Sequence, residues 1–224
     1  MSFKDNINTW IFDLDNTLYS ADSGIFQQVH KLMGEFVAKN LNMELAEAKK
    51  LQAKYYKQHG TTLRGMMDNH GVDPDYFLEE VHKLDYSIVG PNQNLNDELY
   101  KLEGRKIIYT NANKQHVLEV LEKINLTNFF DEIYGIKMAD YIPKPEISPY
   151  EKIIDLFNIE ANKSAMFDDI AKNLVPAKKV GFTPVWVDAG YENFSDDIEA
   201  SKEYLDFQTR DLSLFLKDVN EGKI

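Results

Sequence analysis

Cysteine is absent from the 224 residues, which excludes disulfides, thiolate metal sites and a cysteine nucleophile. Long apolar runs are missing too. The longest span a few residues, too short for a membrane-crossing helix, so no membrane is expected as a partner. Basic residues are in deficit, 25 Lys and Arg against 37 Asp and Glu, for a formal net charge of −12. An average field of that sign repels a nucleic-acid backbone, so no nucleic-acid polymer is expected as a partner, although a local basic cluster can still hold a small anion. Acidity is also an ordinary route to solubility. The start, Met1 to Asn8, is polar and shorter than a signal peptide. These features lead us to expect a cytoplasmic protein, and they leave its oligomeric state open.

What is present suits one α/β domain with an insertion, since 43% of the residues are hydrophobic and can fill a core. Five short apolar runs, rich in aromatic and β-branched residues, read as buried strands. They are Thr9–Phe12, Lys106–Tyr109, Glu132–Tyr134, Ser164–Phe167 and Pro184–Val187. Helical spacing separates the later ones. Val117, Leu118, Leu121 and Ile124 line one face of a helix over 115–124, and Ile153, Ile154 and Phe157 mark another. Ser148 is the expected N-cap of that second helix, with Pro149 at its first position. A short helix over 173–179 ends at Gly181, and a tail helix covers 212–219. Strands alternating with helices imply a Rossmann-like open parallel sheet with helices on both faces.

The stretch from Ser20 to Pro91 has no convincing strand. Ile25, Val29, Leu32, Phe36 and Val37 share one helical face, and Leu45, Ala48, Leu51 and Tyr55 another. Asp73-Pro74 opens a third helix, running to about Leu84, by N-cap and proline chemistry. The expected organisation is a catalytic core over 1–19 and 92–224, with an all-helical cap over 20–91.

Ligands of open α/β sheets bind beyond the carboxyl ends of the strands. Three strand ends here carry polar clusters: Asp13-Leu14-Asp15-Asn16-Thr17, Thr110-Asn111 and Asp168-Asp169. Lys144 lies between Pro143 and Pro145, which fix the local backbone. Each has a plain structural reading, as a turn residue, helix cap or solvated lysine. Their convergence on one sheet edge favours chemistry. Asp13 and Asp15 point the same way in an extended segment and repel unless a cation or proton relieves them. Mg²⁺ suits Asp13 with Asp169. Asp15, if protonated, can protonate a leaving alcohol.

These residues resemble the motifs of the haloacid dehalogenase-like hydrolase superfamily. Phe12-Asp13-Leu14-Asp15-Asn16-Thr17-Leu18 looks like its first motif, Thr110-Asn111 its second, Lys144 its third and Phe167-Asp168-Asp169 its fourth. The insertion after the first motif matches the type-1 cap. Asn16 stands where that motif commonly has glycine, a mild departure because asparagine tolerates the same turn conformations. The resemblance implies that Asp13 attacks phosphorus to form an aspartyl-phosphate. It implies that Asp15 protonates the leaving group and then activates water. Thr110 and the Asn111 backbone N–H would hold a phosphate oxygen, and Lys144 would neutralise charge. Mg²⁺ would sit on Asp13, the Asp15 carbonyl and Asp169, with Asp168 a weaker or indirect ligand and the order of these two acids open. Asp13 to Tyr19, Gly60 to Gly65 and Thr110-Asn111-Ala112 also resemble the pyrimidine 5′-nucleotidase subgroup, which makes Thr61, Thr62 and Arg64 candidate substrate-binding residues.

The expected function is Mg²⁺-dependent hydrolysis of a small phosphorylated metabolite, with nucleoside 5′-monophosphates foremost. A phosphosugar phosphatase or phosphomutase uses the same motifs. A 2-haloacid dehalogenase needs no acid for its leaving halide, so Asp15 would have no role. A phosphonate hydrolase needs a cap amine, and nothing singles out Lys49, Lys50 or Lys54. A non-catalytic binding module would not need the complete polar set.

Overall fold

A computed structural model describes residues 3–190 and 195–224. Of the polar start, Met1 and Ser2 lie outside the described residues, and helix α1 (Phe3–Asn6) follows. Six strands form one sheet: β1 (Thr9–Phe12), β2 (Arg105–Tyr109), β3 (Glu132–Tyr134), β4 (Ser164–Asp168), β5 (Thr183–Val187) and β6 (Phe207–Thr209). Their order is β3-β2-β1-β4-β5-β6, and every pairing is parallel. The sixth strand was not expected. It is short, with Gln208 exposed and its flanking residues only half-buried, so it carries little apolar signal.

Side chains alternate across the central strands, as the two-residue period of a strand requires. Trp10, Phe12, Ile108, Ala165 and Phe167 enter one buried cluster, and Ile11, Ile107, Tyr109 and Met166 enter the other. Phe12 and Phe167 stack across β1 and β4, with centroids 4.6 Å apart. The first face is covered by α6 (Gln93–Lys101), α7 (Lys114–Lys123) and α11 (Leu212–Asn220), and the second by α8 (Ile147–Phe157) and α9 (Ala171–Lys179). Helix α10 (Ser195–Ser201) precedes β6.

Helix α8 corrects one expectation. It begins at Ile147 behind Glu146, so Ser148 and Pro149 are its second and third residues rather than cap and first position. Proline is tolerated there because the first N–H groups of a helix have no intrahelical partner.

Between β1 and β2 lie α2 (Ile25–Leu41), α3 (Leu45–His59), α4 (Thr62–His70) and α5 (Pro74–Val81). Asp73 caps α5 as expected, accepting from the Tyr76 N–H at 2.8 Å. These helices share a third apolar cluster that includes Phe36, Val37, Tyr55, Leu63, Met66 and Phe77. Ile136, from the loop after β3, is buried in the same cluster, so the helical insertion packs onto the edge of the sheet domain.

Candidate active site

The sheet order brings the polar clusters together. The chain builds β1, β2 and β3 outward, then returns with β4 to the other flank of β1. The connections leaving β1 and β4 run to opposite sides at that point, towards β2 and towards β5, which opens a crevice at the carboxyl ends of these parallel strands. In register, Phe12 pairs with Ile108 on one side and with Phe167 on the other. Asp13, Thr110 and Asp168-Asp169 therefore emerge almost level, and the Asp13 N–H donates to the Phe167 carbonyl at 2.8 Å.

Lys144 is 2% exposed and closes the floor of this crevice. Its ammonium donates to Asp13 Oδ1 and Asp168 Oδ2, both at 2.7 Å, and to the Tyr109 carbonyl at 3.1 Å. The loop holding it is pinned by Asn111, whose Oδ1 accepts from the Lys144 N–H at 2.9 Å. Asp13, Asp168 and Asp169 are all buried, with one oxygen of each within 4.8 Å of the others. One lysine thus faces three carboxylates. The two flanking carboxylates raise the Lys144 pKa against the effect of burial. Burial, opposed by Lys144 and aided by Asp168 and Asp15, pushes the Asp13 carboxyl up to about 7. Both shifts follow from the same surplus of negative charge.

The two adjacent acids differ in what they already hold. Asp168 is saturated: Oδ2 takes Lys144, and Oδ1 accepts the Ile170 N–H and the Asn173 amide, each at 2.9 Å. Asp169 receives one long bond, 3.5 Å, from the Asn16 amide, while its backbone carbonyl accepts the Trp186 indole N–H at 2.9 Å. Burial and the charges of Asp13 and Asp168 push its carboxyl well up. Nearby, Asn16 Oδ1 and Thr17 Oγ1 are buried without partners among the described residues. Buried, partner-poor oxygens around surplus carboxylate charge fit a hard divalent cation. Asn16 adopts φ 59°, the left-handed conformation that explains asparagine in place of glycine. Thr110 is 1% exposed, and its hydroxyl accepts the Ala112 N–H at 3.0 Å, folding the strand end into a tight turn.

Asp15 sits in different surroundings. Its side chain is 17% exposed, and Oδ1 accepts from His116 Nε2 at 2.8 Å and from the Tyr19 hydroxyl. Burial opposes ionisation of Asp15, but the charge and hydrogen bond of His116, with the Tyr19 bond, outweigh it and hold the carboxyl at about 2. His116 is fully buried; its Nδ1 lies 2.9 Å from the Tyr86 hydroxyl, and its ring stacks on His82 with centroids 4.5 Å apart. Tyr19 ends the segment that resembles the nucleotidase subgroup but had no role assigned, and none of His82, Tyr86 and His116 was singled out from sequence. A lone histidine on an apolar helical face reads as core. The available signal was position: Asn113 caps α7 directly after Thr110-Asn111, so His116, in the first turn, stays near the strand end.

The segment Thr61 to Gly65 is the start of a helix rather than a loop. Thr61 caps α4, its hydroxyl accepting the Arg64 N–H at 3.1 Å. The Arg64 guanidinium pairs with Asp68 at 3.0 Å within the insertion, and Thr62 is buried. The segment nevertheless begins beside the crevice. A Cβ on Gly60, which has φ 80°, would lie 3.4 Å from Pro143 Cγ and 3.7 Å from the Lys144 carbonyl.

With this geometry established, comparison with known proteins is decisive for the family. The sequence pattern of the haloacid dehalogenase-like hydrolases matches residues 10–187, from β1 to the end of β5. The chain belongs to the haloacid dehalogenase-like hydrolase family. It is 24% identical over 190 residues to phosphate metabolism protein 8 of Saccharomyces cerevisiae, covering 77% of this chain and 59% of that protein. The chain therefore spans under two thirds of that relative's length. Among solved structures it resembles a haloacid dehalogenase-like phosphatase from Thermococcus onnurineus, with a TM-score of 0.62, 19% identity and coverage of 94% and 97% of the two chains. The hydrolase YfnB from Bacillus subtilis, solved bound to magnesium, matches with a TM-score of 0.60, 14% identity and coverage of 96% and 99%. An L-2-haloacid dehalogenase from Xanthobacter autotrophicus matches with a TM-score of 0.59, 13% identity and the same coverage. Phosphatase and dehalogenase match the chain at comparable TM-scores, so these likenesses establish the fold alone, and the site must separate the two chemistries. No helix among the described residues is long and apolar enough to cross a membrane.

Proposed function

We propose that the protein is a Mg²⁺-dependent phosphomonoesterase acting through an aspartyl-phosphate on small phosphate esters, with nucleoside 5′-monophosphates as the first class to test. The observation that carries this reading is the pairing of Asp13 with Asp15. Asp13, bonded to Lys144 and clustered with the other carboxylates, is the attacking group in this reading. Asp15 is a separately held carboxylate, useful where the leaving group is an alcohol and superfluous where it is a halide.

An Asp13 oxygen bonds to phosphorus as the ester P–O bond breaks, and Asp15 gives its proton to the departing alkoxide. Water then attacks the phosphoryl group, passing a proton to Asp15, and the Asp13–phosphorus bond breaks. The resting carboxylate at Asp15 is ready for the second step. For the first it takes the proton carried by the substrate, whose second pKa is near ~6. Lys144 balances charge on Asp13, and the Thr110 turn and the Asn111 N–H hold a phosphoryl oxygen. Asp13, Asp169 and the Asp15 carbonyl would hold Mg²⁺, with Asp168, already saturated, fixing Lys144. The ion supplies neutralisation of phosphoryl charge. In this reading the helical insertion is a cap that selects the leaving group, with Thr62 near its contact with the Lys144 loop.

The test is hydrolysis of a panel of nucleoside monophosphates, sugar phosphates and aryl phosphates with Mg²⁺ and with chelator, alongside a 2-haloacid. Mg²⁺-dependent phosphate release is expected. Halide release without phosphate release would overturn the proposal.

A further inference from the structure

His116 occupies a place that ordinary core packing does not explain. A buried histidine usually satisfies its ring nitrogens on backbone or on other buried groups. Here Nε2 reaches out of a fully buried ring to a carboxylate that is still partly open to the crevice. The Tyr19 hydroxyl reaches the same oxygen, Oδ1. Oδ2 of Asp15 has no protein partner among the described residues.

The ring itself cannot turn freely. The Tyr86 hydroxyl meets Nδ1 on its far side, and the His82 ring lies against its face at an interplanar angle of 20°. Tyr86 is anchored in turn, 3.2 Å from the His82 carbonyl. These groups come from three separate parts of the chain: Asp15 and Tyr19 after β1, His82 and Tyr86 after α5, and His116 in α7. An assembly so distributed, ending on one oxygen of one carboxylate, fixes an orientation.

We infer that His116 is a positioning residue: with Tyr19 it clamps Oδ1 of Asp15, so that Oδ2 faces the leaving-group oxygen. This deepens the phosphomonoesterase reading and rests on it. Proton transfer requires the donor within hydrogen-bond reach of the leaving oxygen, and a misplacement of about 1 Å can lower a rate ~100-fold. The clamp should therefore matter in proportion to how much proton the leaving group needs. A merely structural histidine would not distinguish leaving groups.

The experiment compares His116→Leu, His116→Gln and Asp15→Asn in the full chain with Mg²⁺, using an alkyl phosphate and an activated aryl phosphate. Leucine removes the donor, and glutamine restores an N–H at about the distance of Nε2. For His116→Leu we expect kcat on the alkyl ester to fall about tenfold or more, and on the aryl ester less than about threefold, with KM little changed. His116→Gln should recover most of the alkyl activity. Equal losses on both esters, no loss, or no recovery by glutamine would overturn the clamp. If Asp15→Asn shows leaving-group dependence and His116→Leu does not, the clamp alone falls. If Asp15→Asn lacks that dependence, the acid assignment falls and the clamp with it. Should His116→Leu not fold, Tyr19→Phe removes the other donor to Oδ1 and carries the same expectation and the same refutation.

Discussion

Asp13→Asn removes the group proposed to attack phosphorus, and the same change relieves the site of a charge it holds poorly. Without a metal, one lysine faces three buried carboxylates, and burial together with Asp168 and Asp15 lifts Asp13 from 3.8 to about 7 against the pull of Lys144. Below about pH 4 this carboxyl is protonated in both folded and unfolded chains and has no effect on stability. Between there and about 7 the unfolded chain releases its proton while the folded chain keeps it, so stability falls as pH rises. Above about 7 the whole penalty is present, at most about 4 kcal/mol for a rise of that size. Asparagine keeps the shape, can still accept from Lys144 and has no proton to retain. In chelator at about pH 8 the variant should therefore unfold at a higher temperature than wild type, by at most roughly 8–16 °C at about 2–4 °C per kcal/mol. The difference should vanish near pH ~4. Mg²⁺ should close the gap, since a ligand at about 100 times its Kd stabilises the native state by about 2.7 kcal/mol and the amide is the poorer ligand. Thermal melts of both proteins across this pH range, with chelator and with Mg²⁺, measure it. A variant that melts at or below wild type in chelator at high pH would refute the picture of an overcharged cluster, whatever its activity. Turnover itself should drop to background, because uncatalysed monoester hydrolysis is extremely slow.

Asp15→Asn should lower turnover severely on alkyl esters and much less on activated aryl phosphates; steady-state kinetics on both decide it, and uniform losses would contradict an acid at this position. Chelator should abolish activity and Mg²⁺ restore it, while Asp169→Ala should raise the Mg²⁺ requirement or remove activity; a metal titration reads this, and full activity in chelated buffer would dispose of the metal site. Thr62→Ala should weaken hydrolysis of the preferred ester by about ten- to a hundredfold while sparing a small aryl phosphate. Arg64→Ala, which breaks a half-exposed pair with Asp68, should alter stability by less than about 1 kcal/mol, and kinetics with melting curves separate the two effects. His82 is depressed to about 3 by burial and by His116, and its Nδ1 is buried without a partner among the described residues. It should contribute stability that is present above about 6.5 and lost as pH falls; His82→Phe should flatten that acid limb in melts from about pH 7 to pH 4.

The parts of this structure legible from sequence are those whose signal is local. Thr9–Phe12 and Ser164–Asp168 are runs of buried residues stopping at acids, and both are strands. Helix α6 was missed because only Leu95 and Leu99 mark its apolar face, while the buried Asn96 is satisfied by the Ile124 carbonyl at 2.9 Å. Helix α4 was not expected, since Gly65 lies inside it and glycine is a poor helix former. That glycine marks close packing instead, since a Cβ there would meet the Tyr55 ring at 2.3 Å. Glycine spacing records how near something else comes, and sequence does not say what.

The site divides in the same way. The motif residues were legible because chemistry restricts which types can stand at each strand end. The environment that makes two similar residues different was not. Asp13 and Asp15 are two apart, yet Asp13 lies in an overcharged buried cluster that drives its carboxyl up. Asp15 accepts from a histidine 101 residues away, which drives its carboxyl down. Without a cation these shifts run against the proposed roles, since the raised carboxyl is the one that keeps its proton; a divalent cation at Asp13 would lower that carboxyl and free it to attack. Here the separation depends on where α7 and the exit from the helical insertion deliver His116, His82 and Tyr86. The motif supplies the two carboxylates, and the surrounding fold tells them apart.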